Sequence, residues 1–284
     1  MLRYLRYTAE SILLITGLIF FRILPLDIAS ALGGLVGRII GPFSKAHITA
    51  ENNIKLAMPE LTPLQREFIL KDMWDNLGRV VCEYPHLGRP MMANRIVIEG
   101  REHIDEVRKS GTGAFFISGH FANWEIAPLV AALCHLPLVL IYRSANNPVA
   151  DWIIRKIRSR YNLSMYNKGR EGAQEALKAI KAGNSVGMLI DQKMNDGEAM
   201  MFFGHKAMTA TAATHMAIKL QVPLILAHVV RTDGAYFHVT IQPPIYYKKT
   251  EDPVHAMEHI HRMFEKWIRE NPEQWFWVHR RWGK

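Results

Sequence analysis

The feature that most constrains this chain is an alternation of short apolar runs and helix-spaced stretches that begins at Gly113 and continues towards the C-terminus. Gly113 to Ile117, Leu136 to Tyr142, Leu163 to Tyr166, Ser185 to Ile190, Pro223 to Val230 and Tyr236 to Gln242 read as strands. The stretch from Ile126 to Leu133, and Pro148 to Arg160, Gly172 to Ala182, Thr211 to Leu220 and Pro253 to Arg269, carry helical spacing. Strands that alternate with helices are buried on both faces, so the expected fold is α/β, a mostly parallel central sheet flanked by helices. The turn at Thr232-Asp233-Gly234 makes the last two strands an antiparallel edge, and Arg95 to Glu99 reads as a short edge strand. Upstream of that, residues 44 to 110 are mainly helical, with one helix from about Pro63 to Cys82, and hold no recognisable chemistry.

The first forty residues differ in character. Arg3 and Arg6 precede an apolar stretch from Ile12 to Phe21, and Ile23 to Ile40 continues apolar apart from Asp27, Ser30 and Arg38. No small-residue cleavage site follows, which argues against a removed leader. The apolar core alone falls short of the ~20 residues of a perpendicular span. A helix from Tyr4 to Leu24, stopped by Pro25, is long enough when its charged residues reach the interfaces. We therefore expect residues 1–43 to form a membrane-anchoring segment, spanning or interfacial, and residues 44–284 to form one α/β domain.

Thirty-five Lys and Arg against 26 Asp and Glu leave a net charge of +9, which favours an anionic partner without choosing one. No nucleic-acid-binding module is recognisable, and such a partner would leave the apolar N-terminus unexplained. Cys82 and Cys134 stand outside any CxxC or Cys/His cluster, so neither a disulfide framework nor a zinc site is expected. The absence of a P-loop, a GxGxxG or an HExxH pattern leaves no cofactor and no metal to expect.

Chemistry gathers at strand ends. His120, Arg143 and Asp191 fall at or just past the carboxyl ends of expected strands, the edge where open parallel sheets place their sites. Imidazole titrates near neutrality and can take and return a proton. Five positions separate His120 from Glu125, about 500° on a continuous helix, which puts them on different faces. The two meet only if His120 lies in the turn and the helix starts between Asn123 and Ala127, with Asn123 as its N-cap. Arg155 to Arg170 holds six cations and no acid, an anion-binding surface.

Gly119-His120-Phe121-Ala122-Asn123-Trp124-Glu125 resembles the His-x4-Asp/Glu motif of the glycerolipid acyltransferase superfamily, in the form used by bacterial lipid A late acyltransferases. Tyr142-Arg143 with Asn146-Asn147-Pro148, then Gly187 to Gln192 followed by Phe202-Phe203-Gly204, then Val222-Pro223 and the terminal Pro272 to Trp282 resemble further blocks of that family in order. Ser144 departs from a frequent proline. The resemblance implies transfer of an acyl chain from acyl carrier protein or acyl-CoA to a hydroxyl of a phosphorylated glycolipid, on the cytoplasmic face of the bacterial inner membrane. It implies His120 as general base, Glu125 orienting the ring, Arg158 at an oxyanion or acceptor phosphate, and Asp191 acting on His120 or positioning Arg158. Arg143, Asn123, Gln192 and Arg170 are expected to bind substrate. The nearest alternatives are another acceptor, such as a phosphatidylinositol mannoside, and a non-catalytic lipid-binding protein.

Overall fold

The computed structural model describes residues 2–161 and 163–283. It opens on helices α1 (Leu2–Ile23), α2 (Leu26–Ile40), α3 (Lys45–Ala57), α4 (Pro63–Glu83) and α5 (Pro90–Ala93). Strand β1 (Ile96–Glu99) and α6 (Arg101–Ser110) lead into β2 (Phe115–Ser118), α7 (Ile126–Leu133), β3 (Leu138–Tyr142), α8 (Pro148–Arg158), β4 (Ser164–Asn167), α9 (Arg170–Lys181) and β5 (Ser185–Leu189). The chain closes with β6 (Glu198–Phe202), β7 (His205–Thr209), α10 (Ala212–Leu220), β8 (Leu224–Asp233), β9 (Tyr236–Ile241) and α11 (Pro253–Glu270).

Seven strands form one sheet in the order β1-β9-β8-β2-β5-β3-β4. From β8 to β4 all neighbours are parallel; β9 returns antiparallel to β8, and β1 adds parallel to β9 at the edge. The expected antiparallel pair is therefore present, with the short strand of Arg95 to Glu99 lying outside it. Side chains alternate across the sheet: Phe115 and Ile117 enter a core shared with α4, α9 and α11, and Ala114 and Phe116 enter one shared with α6, α7 and α8. Every residue of β2 is buried, as a strand covered on both faces requires.

A second, two-stranded sheet of β6 and β7 was not expected. Its connecting turn, Phe203-Gly204, has φ of 51° and 73°, the geometry of a tight hairpin turn, but with phenylalanine where Asn or Asp usually signals it.

At the N-terminus α1 ends just before Pro25, as expected. Among the described residues, the stretch long and apolar enough by length and composition to cross a membrane is the next one, Leu26–Phe43, and a third of it is buried. That burial comes from α4. A Cβ added to Gly37 would lie 2.1 Å from the Trp74 carbonyl oxygen, and one added to Gly78 would lie 2.0 Å from that of Gly33, so the two helices touch backbone to backbone. The outer side remains apolar and exposed, with Leu13, Phe20 and Ile23 on α1, Leu35, Ile39 and Ile40 on α2, and Phe43 beyond.

Candidate active site

β2 and β5 are neighbours in a register that sets Ser118 opposite Leu189. Two residues further along each chain stand His120 and Asp191, so strand pairing alone carries both to one point on the carboxyl edge of the sheet. Gly119 allows the approach: a Cβ there would fall 2.6 Å from the Phe121 ring and 3.2 Å from the Asp191 carboxyl carbon. The loop then turns through Ala122, whose φ of 45° is left-handed. Two bonds hold that conformation: the Ala122 amide donates to the Gln274 carbonyl at 2.7 Å, and the Ala122 carbonyl accepts from Asn76 Nδ2 at 3.3 Å. α7 starts at Ile126, so His120 stands clear of the helix.

Asp191 is buried and holds the His120 ring. Its Oδ1 accepts from His120 Nδ1 at 2.7 Å, and its Oδ2 accepts from the His120 amide and the Trp275 indole, each at 2.8 Å. Burial pushes the Asp191 carboxyl up, but the ring and these donors outweigh it and hold it below the usual carboxylate range. A carboxylate against Nδ1 fixes the tautomer with the proton on that nitrogen and leaves Nε2 as the acceptor. His120 Nε2 meets the Gln192 side-chain nitrogen at 3.3 Å. The Trp124 and Phe276 rings flank the imidazole with centroids 5.2 and 5.6 Å away.

Glu125 was expected on that ring, and here the structure corrects the expectation. Arg158 Nε and Nη2 donate to the two Glu125 oxygens at 2.9 and 2.6 Å. The physical reason is burial: Glu125 is 2% exposed, and a carboxylate withdrawn from water needs a cation with matching geometry. The guanidinium fork at the end of α8 supplies it. Burial works against the Arg158 charge, but Glu125 prevails and holds the guanidinium protonated above its ordinary range.

Asn123, expected to cap α7 and to bind substrate, gives both ends of its side chain to protein partners. It is fully buried; its Oδ1 accepts from the Glu125 amide at 3.2 Å and its Nδ2 donates to Glu83 at 2.8 Å, while α7 has no side-chain cap bond. The tight turn before the helix consumes the groups a cap would use.

His120, Arg158 and Gln192 line a cavity of about 730 Å³. Its exposed mouth carries Arg143, Lys168 and Arg170, and its buried depth is lined by Phe116, Val130, Ala131, Leu138, Ala227 and Ile241. The cavity thus joins an electropositive rim to an apolar slot, with the imidazole on its wall. Among the described residues no cluster of His, Cys, Asp and Glu could hold a metal ion.

Sequence reasoning did not single out Trp275, Phe276 or Trp124. The signal for the first two is the density of aromatic residues between Pro272 and Trp282. That segment folds back over the His120 loop and bridges Trp275 to Phe121.

Comparison with known proteins gives the family of the chain. Residues 1–284 match the family described as bacterial lipid A biosynthesis acyltransferase. The chain is 25% identical over 269 residues to the lipid A biosynthesis palmitoleoyltransferase of Escherichia coli K12, covering 91% of this chain and 86% of that protein. It is 24% identical to the lauroyltransferase of the same organism, with the same coverage, and 22% identical over 272 residues to a lipid A biosynthesis acyltransferase of Haemophilus influenzae, covering 92% and 84%. With the family matched from end to end, the chain belongs to the bacterial lipid A biosynthesis acyltransferases and is an acyltransferase of lipid A assembly.

Proposed function

We propose that this enzyme moves a fatty acyl chain from a carrier thioester, acyl carrier protein or acyl-CoA, to a hydroxyl of a phosphorylated lipid A precursor at the cytoplasmic face of the inner membrane. The observation that carries the reading is the His120–Asp191 pair at 2.7 Å, set on the wall of a cavity with an apolar depth and a cationic mouth. The depth suits an acyl chain. The mouth suits the phosphates of the acceptor or the acidic surface and phosphate of a donor.

His120 Nε2 takes the proton of the acceptor hydroxyl as its oxygen attacks the thioester carbonyl. The carbonyl becomes a tetrahedral oxyanion, and Asp191 stabilises the imidazolium that has formed. The C–S bond then breaks, the carbonyl re-forms as an ester, and the imidazolium returns the proton to the departing sulfur. Arg158 lines the cavity with its Nε and Nη2 spent on Glu125; its remaining N–H groups are available to the oxyanion or an acceptor phosphate. Glu125 holds that guanidinium in place. Arg143, Arg170 and Gln192 bind substrate from the rim and wall.

Residues 1–43 anchor the enzyme through the exposed apolar side of α1 and α2, and residues 44–284 form the catalytic α/β domain. The test is mass spectrometry of lipid A from cells with and without the protein, paired with acyl-transfer assays of His120→Ala. Loss of one secondary acyl chain and at least a ~100-fold drop in rate are expected, the lower end of general-base contributions. Unaltered lipid A rejects the acceptor, and a folded His120→Ala at wild-type rate rejects the mechanism.

A further inference from the structure

The helical stretch before the sheet holds a buried charge that no sequence motif announces. Glu83, the last residue of α4, is fully buried, and both its oxygens are in use. Oε1 accepts from Ser30 Oγ at 2.7 Å and from Arg231 Nη1; Oε2 accepts from Asn123 Nδ2 at 2.8 Å and from Arg231 Nη2 at 3.1 Å. Arg231, on β8, also donates from Nε to Asn76 Oδ1 at 2.9 Å, and Asn76 in turn donates to the Ala122 carbonyl. The Arg231 backbone exchanges two hydrogen bonds with the Gln274 side chain, and the Gln274 carbonyl accepts from the Ala122 amide.

All these bonds converge on Ala122 and Asn123, the residues in the middle of the loop from His120 to Glu125. Ala122 holds a left-handed backbone only while its amide and carbonyl are bonded. Asn123 turns the chain towards α7 through its bond to the Glu125 amide, and its other end is fixed by Glu83. The loop therefore has one internal anchor, a carboxylate neutralised by Arg231, that touches neither the His120 ring nor the Arg158 fork.

We propose that Glu83 is a positioning residue for acyl transfer: through Asn123 it sets the loop that aims His120 Nε2 and, at its other end, the Glu125–Arg158 pair. The proposal rests on His120 being the base. A loop shift of an ångström takes the imidazole out of line with the attacking hydroxyl, and misplacement of that size costs ~100-fold in rate.

The test uses the full chain in phospholipid vesicles, with acyl thioester and lipid A precursor, measuring kcat, KM and Tm. Asn123→Ala releases the loop while the Glu83–Arg231 pair remains. It is expected to lower kcat between tenfold and ~100-fold with little change in KM for either substrate. Glu83→Gln and Asn123→Asp are each expected to lower kcat. Together they reverse donor and acceptor, with the Gln amide donating to the Asp carboxylate, and kcat recovers at least tenfold over the weaker single variant.

A merely structural role would lower Tm and the folded fraction but leave kcat per folded enzyme unchanged, with no recovery in the double variant. Wild-type kcat in folded Asn123→Ala overturns the proposal. So does a rise in KM alone, which makes Asn123 a substrate contact. If Glu83→Gln does not fold, Asn123→Ala decides alone. His120→Ala, run alongside, separates the two ideas: retained activity there sinks the His120 mechanism, whereas its loss beside an unaffected Asn123→Ala sinks only the positioning role.

Discussion

Asp191→Asn is the sharpest probe of the site, because the surrounding bonds dictate which way the new amide must face. Asp191 Oδ2 accepts two donors that cannot become acceptors, the His120 backbone N–H and the Trp275 indole N–H. The amide oxygen of the variant must take that place. Its NH2 then faces His120 Nδ1, where Oδ1 stood at 2.7 Å. An N–H aimed at Nδ1 requires that nitrogen to accept, which moves the ring proton to Nε2 and removes the base. Two losses combine. A hydrogen bond to a charged group contributes about 1.5–3 kcal/mol, roughly ten- to 150-fold in rate. The wrong tautomer raises the loss further; the same exchange in a Ser-His-Asp triad lowers kcat about 10⁴-fold. We expect kcat to fall by about 10³–10⁴-fold, or ~4–5.5 kcal/mol, with Tm within a few degrees of wild type because a neutral amide fills the same volume. Product formation by mass spectrometry, in vesicles under saturating donor and acceptor, reads the change. A folded variant that keeps more than a tenth of the wild-type kcat refutes the assignment of Asp191 to the ring.

Other residues give different signatures. Glu125→Gln leaves the Arg158 cation buried without its counter-charge, so stability should fall by about 3–5 kcal/mol, read as a lower denaturant midpoint. Stability should also fall in acid. Burial pushes His228 and His261 down to about 4, whereas unfolded histidines bind protons near 6.5, so the unfolded chain holds the extra protons between those values. Stability contributed by the neutral rings is present above pH ~6.5 and is lost as the pH drops towards 4, up to about 2 kcal/mol per ring by pH 5. Equal urea midpoints at pH 7 and pH 5 would refute neutral burial of these rings.

How much of this was legible in the sequence divides along the range of the interactions. Alternating apolar and helical patterns disclose the sheet, and placing polar residues at strand ends gathers His120, Arg143 and Asp191 on one edge. What they omit is strand order. Only the knowledge that β5 lies beside β2, with Ser118 opposite Leu189, turns Asp191 from one of several edge residues into the partner of His120. Local spacing pointed instead to Glu125, the nearest acid in sequence, because the Arg158 that claims it comes from a helix packed later in the chain. Glu83 was invisible for a related reason. Its setting, before Tyr84-Pro85, reads as a loop, and its burial depends on Arg231 from β8, 148 positions away. The β6–β7 hairpin escaped because Phe203 takes a backbone conformation usually signalled by Asn or Asp.

Charge accounting decides which carboxylate can serve the reaction. Among the described residues the buried carboxylates are Glu83, Glu125 and Asp191. Glu83 faces Arg231 and Glu125 faces Arg158, cations that no pH in a cell discharges. Each of these pairs is neutral before and after a proton moves, so neither carboxylate has charge to spare for an imidazolium. Asp191 differs. Its partner is an imidazole and not a permanent cation, and its negative charge is held by two N–H dipoles in addition to the ring. In the proposed reaction His120 takes a proton from the acceptor hydroxyl, and positive charge then develops 2.7 Å from the one buried carboxylate among the described residues that is not already paired with a permanent cation. The pair becomes neutral as the tetrahedral intermediate becomes negative, and Arg158, already protonated and fixed by Glu125, lines the same cavity. The polar groups are in place before charge moves, which is the condition under which fixed dipoles and charges lower a barrier most. The carboxylate five residues from the histidine therefore holds the arginine, and the one 71 residues away holds the histidine.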